Sequence, residues 1–569
     1  MDKRTFLAIA LSMAVIFLYQ TFFVKPPPPK QKAAQQTEQT AAEPSAGQGE
    51  TPAAPAKPAT AEQMTATKIV TVEDKAIPEK ESLVETPLYT AVFTNQGAAL
   101  KSLKLKKYYR TLPPDRHYQL TDFLKIFQSK KDEAVKEAEL IELVHVKNGM
   151  PRPLSVTFPD SNINVPAKDA YEANTDALDL TRAPDKYRLT YTRTYPNNMK
   201  IEKMYTFHPD TYNVDLEVRV YNLSPNPITQ NAALTWHQYA DPKAESSSYG
   251  HEGPITYISQ KVNRIDVKKI EKDETHGPDV VWGGYESKYF IASLIPQNPS
   301  LTSVAVVKDT DDMVSVTLKG TKNLIPPGQA GMFSYSLFLG PKDHSILKTQ
   351  GAGLENAVDF QSWMPGLKWL SLSLLIALKF INQYVHNFGI AIIIITILIK
   401  ILFWPLGNMS YKSMKEMQKL QPKVAELREK YKDDRNKIGQ ETMALYKSHK
   451  VNPLSGCLPM LIQIPVFFGF YTALLYSIEL RHAPFIWWIQ DLSDKDPYYI
   501  TPIVMGATMF LQQKMSPPMG DPMQAKVMMF MPIIFTFLFL NFASGLVLYW
   551  LFNNIISIGQ QVYINKRAS

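Results

Sequence analysis

Apolar residues are concentrated in one run near the start of the chain and in several runs within its last third. A helix of about 20 apolar residues crosses the hydrocarbon core of a bilayer. Stretches close to this length predict membrane-spanning helices at 6–24, 388–404, 457–477, 499–511, 527–540 and 546–563. The pattern therefore predicts an α-helical polytopic membrane protein with six spans in total.

Between the first run and the others, the pattern changes twice. Residues 25–67 are rich in Pro, Ala, Gln, Thr and Glu, a composition that predicts a disordered linker. From 68 to 348, short alternating stretches are bounded by Asn, Gly, Pro and Asp, which is typical of antiparallel strands. Examples are 88–93, 200–207, 212–221, 302–307, 314–318 and 332–339. We predict a large antiparallel β-sandwich over 68–348, with 130–143 as its one helical stretch.

Two details define the ends of the membrane segments. Residues 1–24 are interpreted as an uncleaved signal-anchor helix, because their apolar run exceeds the roughly 7–15 residues of a cleaved signal peptide. Prolines at 26–29 follow it in place of a small-residue cleavage site. Residues 541–545 (NFASG) contain turn-forming residues and predict a hairpin between the last two spans. A single bent helix is the alternative at that position.

Residues 363–383 have the pattern of an amphipathic helix. Leucines and an isoleucine recur at helical spacing on one face, whereas Lys368, Ser371, Lys379 and Asn382 mark another. Such a helix is suited to the outer membrane–water interface. The alternative is a seventh spanning helix.

The loop at 405–456 predicts a helical hairpin. Met414, Met417 and Leu420 begin a series of apolar residues spaced three or four apart, as a two-helix seam requires. Pro422 should kink the first arm. Methionine is suited to adaptable contact surfaces. The spacing leaves open whether these residues form a contact surface or only the seam of the hairpin.

Charge orients the predicted spans. The chain has 61 Lys and Arg against 53 Asp and Glu, a net charge of +8. The loop at 405–456 is strongly basic, whereas 478–497 is net acidic. Because cytoplasmic loops are enriched in Lys and Arg, we place 405–456 and both termini in the cytoplasm and 68–348 in the periplasm. The sequence has no concentrated basic patch of the kind that would indicate sequence-specific nucleic-acid binding.

Polar residues inside the apolar runs are the candidate functional residues. Thr396 and Lys400 are four residues apart, hence on one helix face. Gln463 lies in the third run, and a stripe in the last run contains Trp550, Asn554, Ser557 and Gln561. These faces could converge on a wet cavity. Alternatively, Lys400 reaches the interface along its own stem and the amides join helices.

Several motifs of the last third occur in the order found in one known family. They are NPLSGCLP at 452–459, LIQIP at 461–465, DPYYI at 496–500, QKMSP at 513–517 and SGLVLY at 544–549. Over 388–566 the chain resembles the YidC membrane-protein insertase family. More loosely, through 284–296 and 326–329, the strand region resembles the periplasmic domain of its Gram-negative members.

The resemblance implies a protein that is not an enzyme, needs no cofactor or metal, and inserts and folds integral inner-membrane proteins, alone or with the Sec translocon. It implies a polar substrate groove open to cytoplasm and lipid. The groove residues would be Lys400, Thr396, Gln463, Tyr549, Trp550, Asn554 and Ser557.

The implied partners are nascent membrane proteins, the Sec translocon, the ribosome and targeting machinery, and membrane lipids. A cytoplasmic contact surface would contain Met414, Met417, Leu420, Lys514 and Met515. The family usually has arginine at the position of Lys400, so the charge is kept but the bidentate fork is lost. Close relatives have a second tyrosine where Trp550 stands.

Two other classes of function are weighed against this interpretation. A solute transporter would commonly show internal repeats and a midplane site, and neither is found in the sequence. A sugar-active enzyme on the exported domain would have His237 and His251-Glu252 as its acid–base candidates. The single cysteine, Cys457, excludes a disulfide or thiol site from that domain.

Overall fold

The computed structural model describes residues 78–112, 138–161, 165, 168–182, 187–196, 198–240, 250–270, 274–309, 312–360, 366–431, 434–449, 451, 458–516 and 522–567. The predicted signal anchor at 1–24, the linker at 25–67 and part of the motif at 452–459 lie outside these residues. Within the described part of the chain, strands come first and helices follow. The predicted order of a β-sheet region and a helical region is therefore confirmed.

The strand region begins at Glu81. Its strands are β1 (Glu81–Glu85), β2 (Tyr89–Thr94), β3 (Ala99–Tyr109), β4 (Leu140–Glu142), β5 (Ser155–Thr157), β6 (Glu172–Ala173), β7 (Ala177–Asp179), β8 (Tyr187–Tyr195), β9 (Met199–Phe207), β10 (Asn213–Asn222), β11 (Ile228–Gln230), β12 (Ala233–Tyr239), β13 (Gly253–Ile258), β14 (Lys261–Arg264), β15 (Glu274–His276), β16 (Val280–Glu286), β17 (Phe290–Pro296), β18 (Ser303–Lys308), β19 (Met313–Lys319), β20 (Asn323–Ile325) and β21 (Ala330–Pro341). All of the alternating stretches predicted as strands coincide with these elements.

The strands form four sheets. A nine-stranded sheet has the order β14-β13-β16-β17-β21-β10-β9-β8-β6, and two five-stranded sheets have the orders β4-β3-β2-β1-β7 and β15-β18-β19-β12-β5. Strands β11 and β20 form a separate pair.

Two predictions about the strand region are corrected by the structure. Strand β7 pairs with β1 in parallel, and Leu140–Glu142, expected in a helix, forms β4 against β3.

The core lies on one face of the nine-stranded sheet, which both five-stranded sheets cover. Strand register places Gly283, Tyr335 and Tyr205 on this face. The ring of Tyr205 lies 4.7 Å from that of Phe93 in one five-stranded sheet. A Cβ on Gly283 would lie 3.2 Å from Val304 of the other. Alternation follows from this layering, since β9 buries every second residue.

The helical region occupies the rest of the described chain. Its α-helices are α1 (His344–Gln350), α2 (Lys368–Val385), α3 (Phe388–Leu402), α4 (Trp404–Lys430), α5 (Arg435–Ser448), α6 (Leu458–Tyr476), α7 (Ile500–Met515), α8 (Pro522–Phe539) and α9 (Ser544–Arg567). Helices α8 and α9 are separate, as the hairpin interpretation expected. The predicted hairpin at 405–456 corresponds to α4 and α5, and α4 is a single helix that contains Pro422.

Taken singly, no helix in the described residues has both the length and the apolar character needed to cross a membrane. Helices α3 and α4 meet that criterion as a pair, with a bend of 63° between them.

Helix α2 has two different faces. Leu374, Leu375 and Leu378 are buried, and the Ser371 and Thr472 hydroxyls form a hydrogen bond of 2.6 Å between α2 and α6. The opposite face exposes large apolar side chains: Trp369, Ile376, Phe380 and Tyr384. The predicted interfacial helix is thus a helix packed on α6, and its place in an interface stays a prediction.

Candidate functional site

The candidate site is centred on Lys400, near the C-terminal end of α3. Its Nζ donates a hydrogen bond of 2.7 Å to Ser557 Oγ on α9. Ser557 Oγ in turn donates to the backbone oxygen of Asn553 at 2.7 Å. Among the described residues, Lys400 has no carboxylate partner in an ion pair. Because an ammonium group has three N–H donors, this neutral acceptor leaves capacity for a further partner.

A second group of contacts connects α6 to the same part of α9. Gln463 donates through Nε2 to Asn553 Oδ1 at 2.7 Å and to the Tyr549 hydroxyl at 3.1 Å. Asn553 therefore contacts Gln463 with its side chain and Ser557 with its backbone. The structure thus brings together polar groups of α3, α6 and α9, including four of the predicted groove residues: Lys400, Gln463, Tyr549 and Ser557.

The other predicted groove residues have different surroundings. Thr396 is buried, and its hydroxyl donates to Ile392 O of its own helix at 2.7 Å. Trp550 packs among aromatic rings. The centre of its ring lies 4.8 Å from that of Phe467 and 5.3 Å from that of Phe539. Asn554 Nδ2 donates to Thr508 Oγ1 of α7 at 3.4 Å. The polar stripe of α9 is therefore shared between α3 and α7.

Sequence reasoning missed polar residues that complete this region. Asn553, the connecting residue, directly precedes the predicted Asn554. Gln560 donates through Nε2 to Trp404 O at 3.1 Å and to Asn408 Oδ1 at 3.0 Å. Asn553 and Gln560 are seven residues apart, hence on one face, next to the stripe that was considered. A search for a second polar stripe on α9 would have found them.

The hairpin residues predicted to contact cytoplasmic partners are largely covered. Met414, Met417 and Leu420 are only 5–8% exposed, whereas Lys514 at the end of α7 is exposed. Met409 and Met443 are 67% and 55% exposed. The burial favours the seam interpretation for the first three residues, and the contact surface stays a prediction.

Of the histidines considered for sugar chemistry, His237 lies in β12 and His251 precedes β13. His237 Nε2 lies 3.1 Å from Ser155 Oγ, and burial lowers the pKa of His237 to about 4. His251 Nδ1 lies 3.0 Å from Glu286 Oε1. In the part of the chain that the structure describes, no cluster of three or more His, Cys, Asp or Glu side chains is arranged to hold a metal ion.

Comparisons with known proteins agree with this architecture. The family model "60Kd inner membrane protein" matches residues 380–569, and the model "YidC periplasmic domain" matches residues 82–372. A membrane protein insertase YidC from Syntrophus aciditrophicus is 58% identical, with 100% of both chains covered. A second, from Geobacter metallireducens, is 40% identical and covers 100% of this chain and 98% of its own.

Among solved structures, a crystal structure of an active YidC insertase is similar to this chain with a TM-score of 0.35 and 18% identity. The match covers 85% of this chain and 92% of the other.

Proposed function

The chain belongs to the YidC membrane-protein insertase family, of the Gram-negative type with a large periplasmic domain, and we propose that it inserts and folds integral inner-membrane proteins through the polar site around Lys400. One observation supports the place of the site. Lys400 lies in a strongly apolar helix and is held by a neutral hydroxyl, within hydrogen-bonded contacts that involve α3, α6 and α9.

The proposed mechanism lowers the cost of moving polar groups through lipid. An unpaired amide or hydroxyl costs several kcal/mol, roughly 4–8, when it leaves water for hydrocarbon. A polar segment of a client can exchange water for Lys400, Gln463 and Asn553. An acidic segment gains most, because opposite charges attract more strongly where the dielectric constant is low. The apolar part of the client then leaves sideways into lipid.

The proposed topology follows the charge distribution. Together with the predicted span at residues 6–24, the helices would form six membrane spans. Both termini would be cytoplasmic, and the layered sheets would form the periplasmic β-sandwich. The α4–α5 hairpin and the end of α7 would meet the ribosome or the targeting machinery, and the Sec translocon would be a further partner. A periplasmic reporter fused after Pro497 should then be active, whereas cytoplasmic reporter activity there would contradict the topology.

Photo-crosslinking tests the site directly. A photoreactive phenylalanine analogue at Trp550 of the full chain keeps an aromatic ring beside Phe467 and Phe539. It should crosslink to a ribosome-bound nascent membrane protein. The matched control is the same analogue at Phe380 on the exposed face of α2, 57% exposed, which should give few adducts. Equal adducts from both positions, or none from Trp550, would contradict the proposal.

A further inference from the structure

A cavity lies where the strand region meets the ends of the helices. It has a volume of about 190 Å³. Its apolar wall is formed by Tyr471, Leu474 and Leu475 of α6, with Phe542 and Leu546 at the start of α9. Its polar rim contains Lys288 from the β16–β17 turn, together with Asp494 and Lys495. This space, here the junction cavity, contains none of the residues of the site around Lys400.

Backbone hydrogen bonds hold the helical side of the junction cavity in place. Ser544 donates to Asp494 O through its backbone N at 2.7 Å and through its hydroxyl at 2.8 Å. Gly545 N donates to Leu492 O at 3.0 Å. Lys495 forms an isolated antiparallel bridge with Ala543. The loop that contains Asp494 and Lys495 is therefore fixed against the turn between α8 and α9.

The strand side is held by a cation over aromatic rings. The Arg481 guanidinium lies 6.0 Å from the ring of Tyr289 and 5.8 Å from that of Phe290. It also donates through Nη2 to Arg110 O at 3.1 Å. The Lys288 ammonium lies 4.7 Å from the centre of the Tyr289 ring. These contacts place the stem and charge of Lys288 at the rim.

The rim carries a net positive charge. Among the described residues, neither Lys288 nor Lys495 forms an ion pair with a carboxylate. Asp494 Oδ1 accepts a hydrogen bond of 2.8 Å from Lys495 N, so a backbone N–H already uses part of the hydrogen-bonding capacity of this carboxylate. Two lysines above an apolar wall complement a ligand that has an anionic head and a hydrocarbon body.

We propose that the junction cavity binds the phosphate head group and adjoining carbons of an anionic phospholipid. The proposal rests on the proposed topology, which places this end of α6 and α9 at the outer head-group level. A volume of about 190 Å³ is below the roughly 300 Å³ at which pockets begin to enclose a whole small molecule. The acyl chains would therefore stay in the bilayer, and the lipid would join the periplasmic domain to the helices.

The test uses the full chain in nanodiscs and a phosphatidylglycerol probe with a photoreactive group near the start of its acyl chain. Adducts are mapped by mass spectrometry, and they should fall on the segments that contain Leu474–Leu475 and Phe542–Leu546. A lysine near an anionic lipid surface contributes about 1 kcal/mol, which is roughly fivefold in affinity. Labelling should therefore fall by roughly fivefold in Lys288→Gln or Lys495→Gln and further in the double variant.

Controls separate this site from general lipid contact. Lys261→Gln, an exposed lysine at the β14 edge, should label like the unmodified protein. Excess phosphatidylglycerol should compete with the probe. Equal labelling by a phosphatidylcholine probe, equal competition by inorganic phosphate, or full labelling of the double variant would each overturn the proposal. Lipid labelling does not depend on insertion activity. Lys400→Leu should therefore label like the unmodified protein, which keeps the test of the junction cavity separate from the test of the proposed function.

Discussion

Gly407 lies at a close approach between α4 and α9. A Cβ at this position would lie 2.7 Å from Gln560 Nε2 and 3.1 Å from its Cδ. Overpacking costs about 1–3 kcal/mol, because Gln560 must leave its bonds to Trp404 and Asn408. Helix propensity returns about 1 kcal/mol, so we predict that Gly407→Ala destabilises the protein by up to about 2 kcal/mol. Thermal unfolding of the purified protein in detergent measures the change.

The matched control is Gly439→Ala on α5, where a Cβ would have no neighbour within 4 Å. Helix propensity alone then predicts stabilisation of up to roughly 1 kcal/mol. If Gly407→Ala stabilised the protein as much as Gly439→Ala, the close approach would not exist in solution.

Glu286 is a buried carboxylate of the periplasmic domain with three basic neighbours. Lys342 Nζ lies 2.9 Å from it, Arg264 Nε 2.7 Å and His251 Nδ1 3.0 Å. Burial alone would raise the pKa of Glu286, but Lys342, the His251 hydrogen bond and Arg264 lower it to about 2. The unfolded value is about 4.3. The stabilisation is therefore present above about pH 4.3 and is lost as the pH falls toward about 2.

We predict that Glu286→Gln destabilises the domain at pH 7 by about 3–5 kcal/mol, because it leaves buried cations without their carboxylate. The difference from the unmodified protein should narrow as the pH is lowered below about 4.3. Unfolding of both proteins as a function of pH measures this. Glu217→Gln, at the half-buried Glu217–Arg219 pair near the surface, should cost less than about 1 kcal/mol. A Glu286→Gln effect that does not change with pH would contradict the account.

At the scale of elements, the α4–α5 hairpin has both buried and exposed methionines. Met417 is 5% exposed and Met443 is 55% exposed. We predict that Met417→Lys lowers abundance and exposes the hairpin to limited proteolysis, because a lysine there would be buried without a partner. Met443→Lys should leave both unchanged.

The same pair of variants tests the contact surface. If methionines of the hairpin bind cytoplasmic partners, Met443→Lys should reduce cotranslational insertion at normal abundance. Unchanged insertion in Met443→Lys, with loss only in Met417→Lys, would leave the hairpin with a seam and no contact role for these methionines.

The sequence predicted the helices and strands better than it predicted which of their residues contact one another. Alternation in 200–207 was sufficient to predict β9, because period-two burial is a property of the strand itself. It could not show that Lys203, within that alternation, is buried and donates to Gly97 O at 2.6 Å. For the site, spacing placed Lys400 and Ser557 on apolar helices but did not pair them. That pairing depends on how α3 and α9 pack, which is a tertiary property.

At the scale of the whole molecule, one lysine joins three parts of the fold. Lys379 of α2 lies 3.2 Å from Asp343, which caps α1 after the last strand, and 2.7 Å from Glu479 beyond α6. The periplasmic domain is thus connected to α2 and to the loop after α6. The sequence predicted each of these regions but not this connection, because Asp343 and Glu479 lie 36 and 100 positions from Lys379 along the chain.

The central claim is that the charge of Lys400 acts on clients. The most direct measurement compares insertion of two clients that differ only in an acidic or a neutral translocated tail. Lys400→Arg should insert both clients. Lys400→Leu should slow the acidic-tail client by roughly tenfold or more and spare the neutral one, and Lys400→Glu should be slowest. Ser557→Ala removes the neutral acceptor and keeps the cation, so it should insert both. Equal insertion of the two clients in every variant, at equal abundance, would contradict the account.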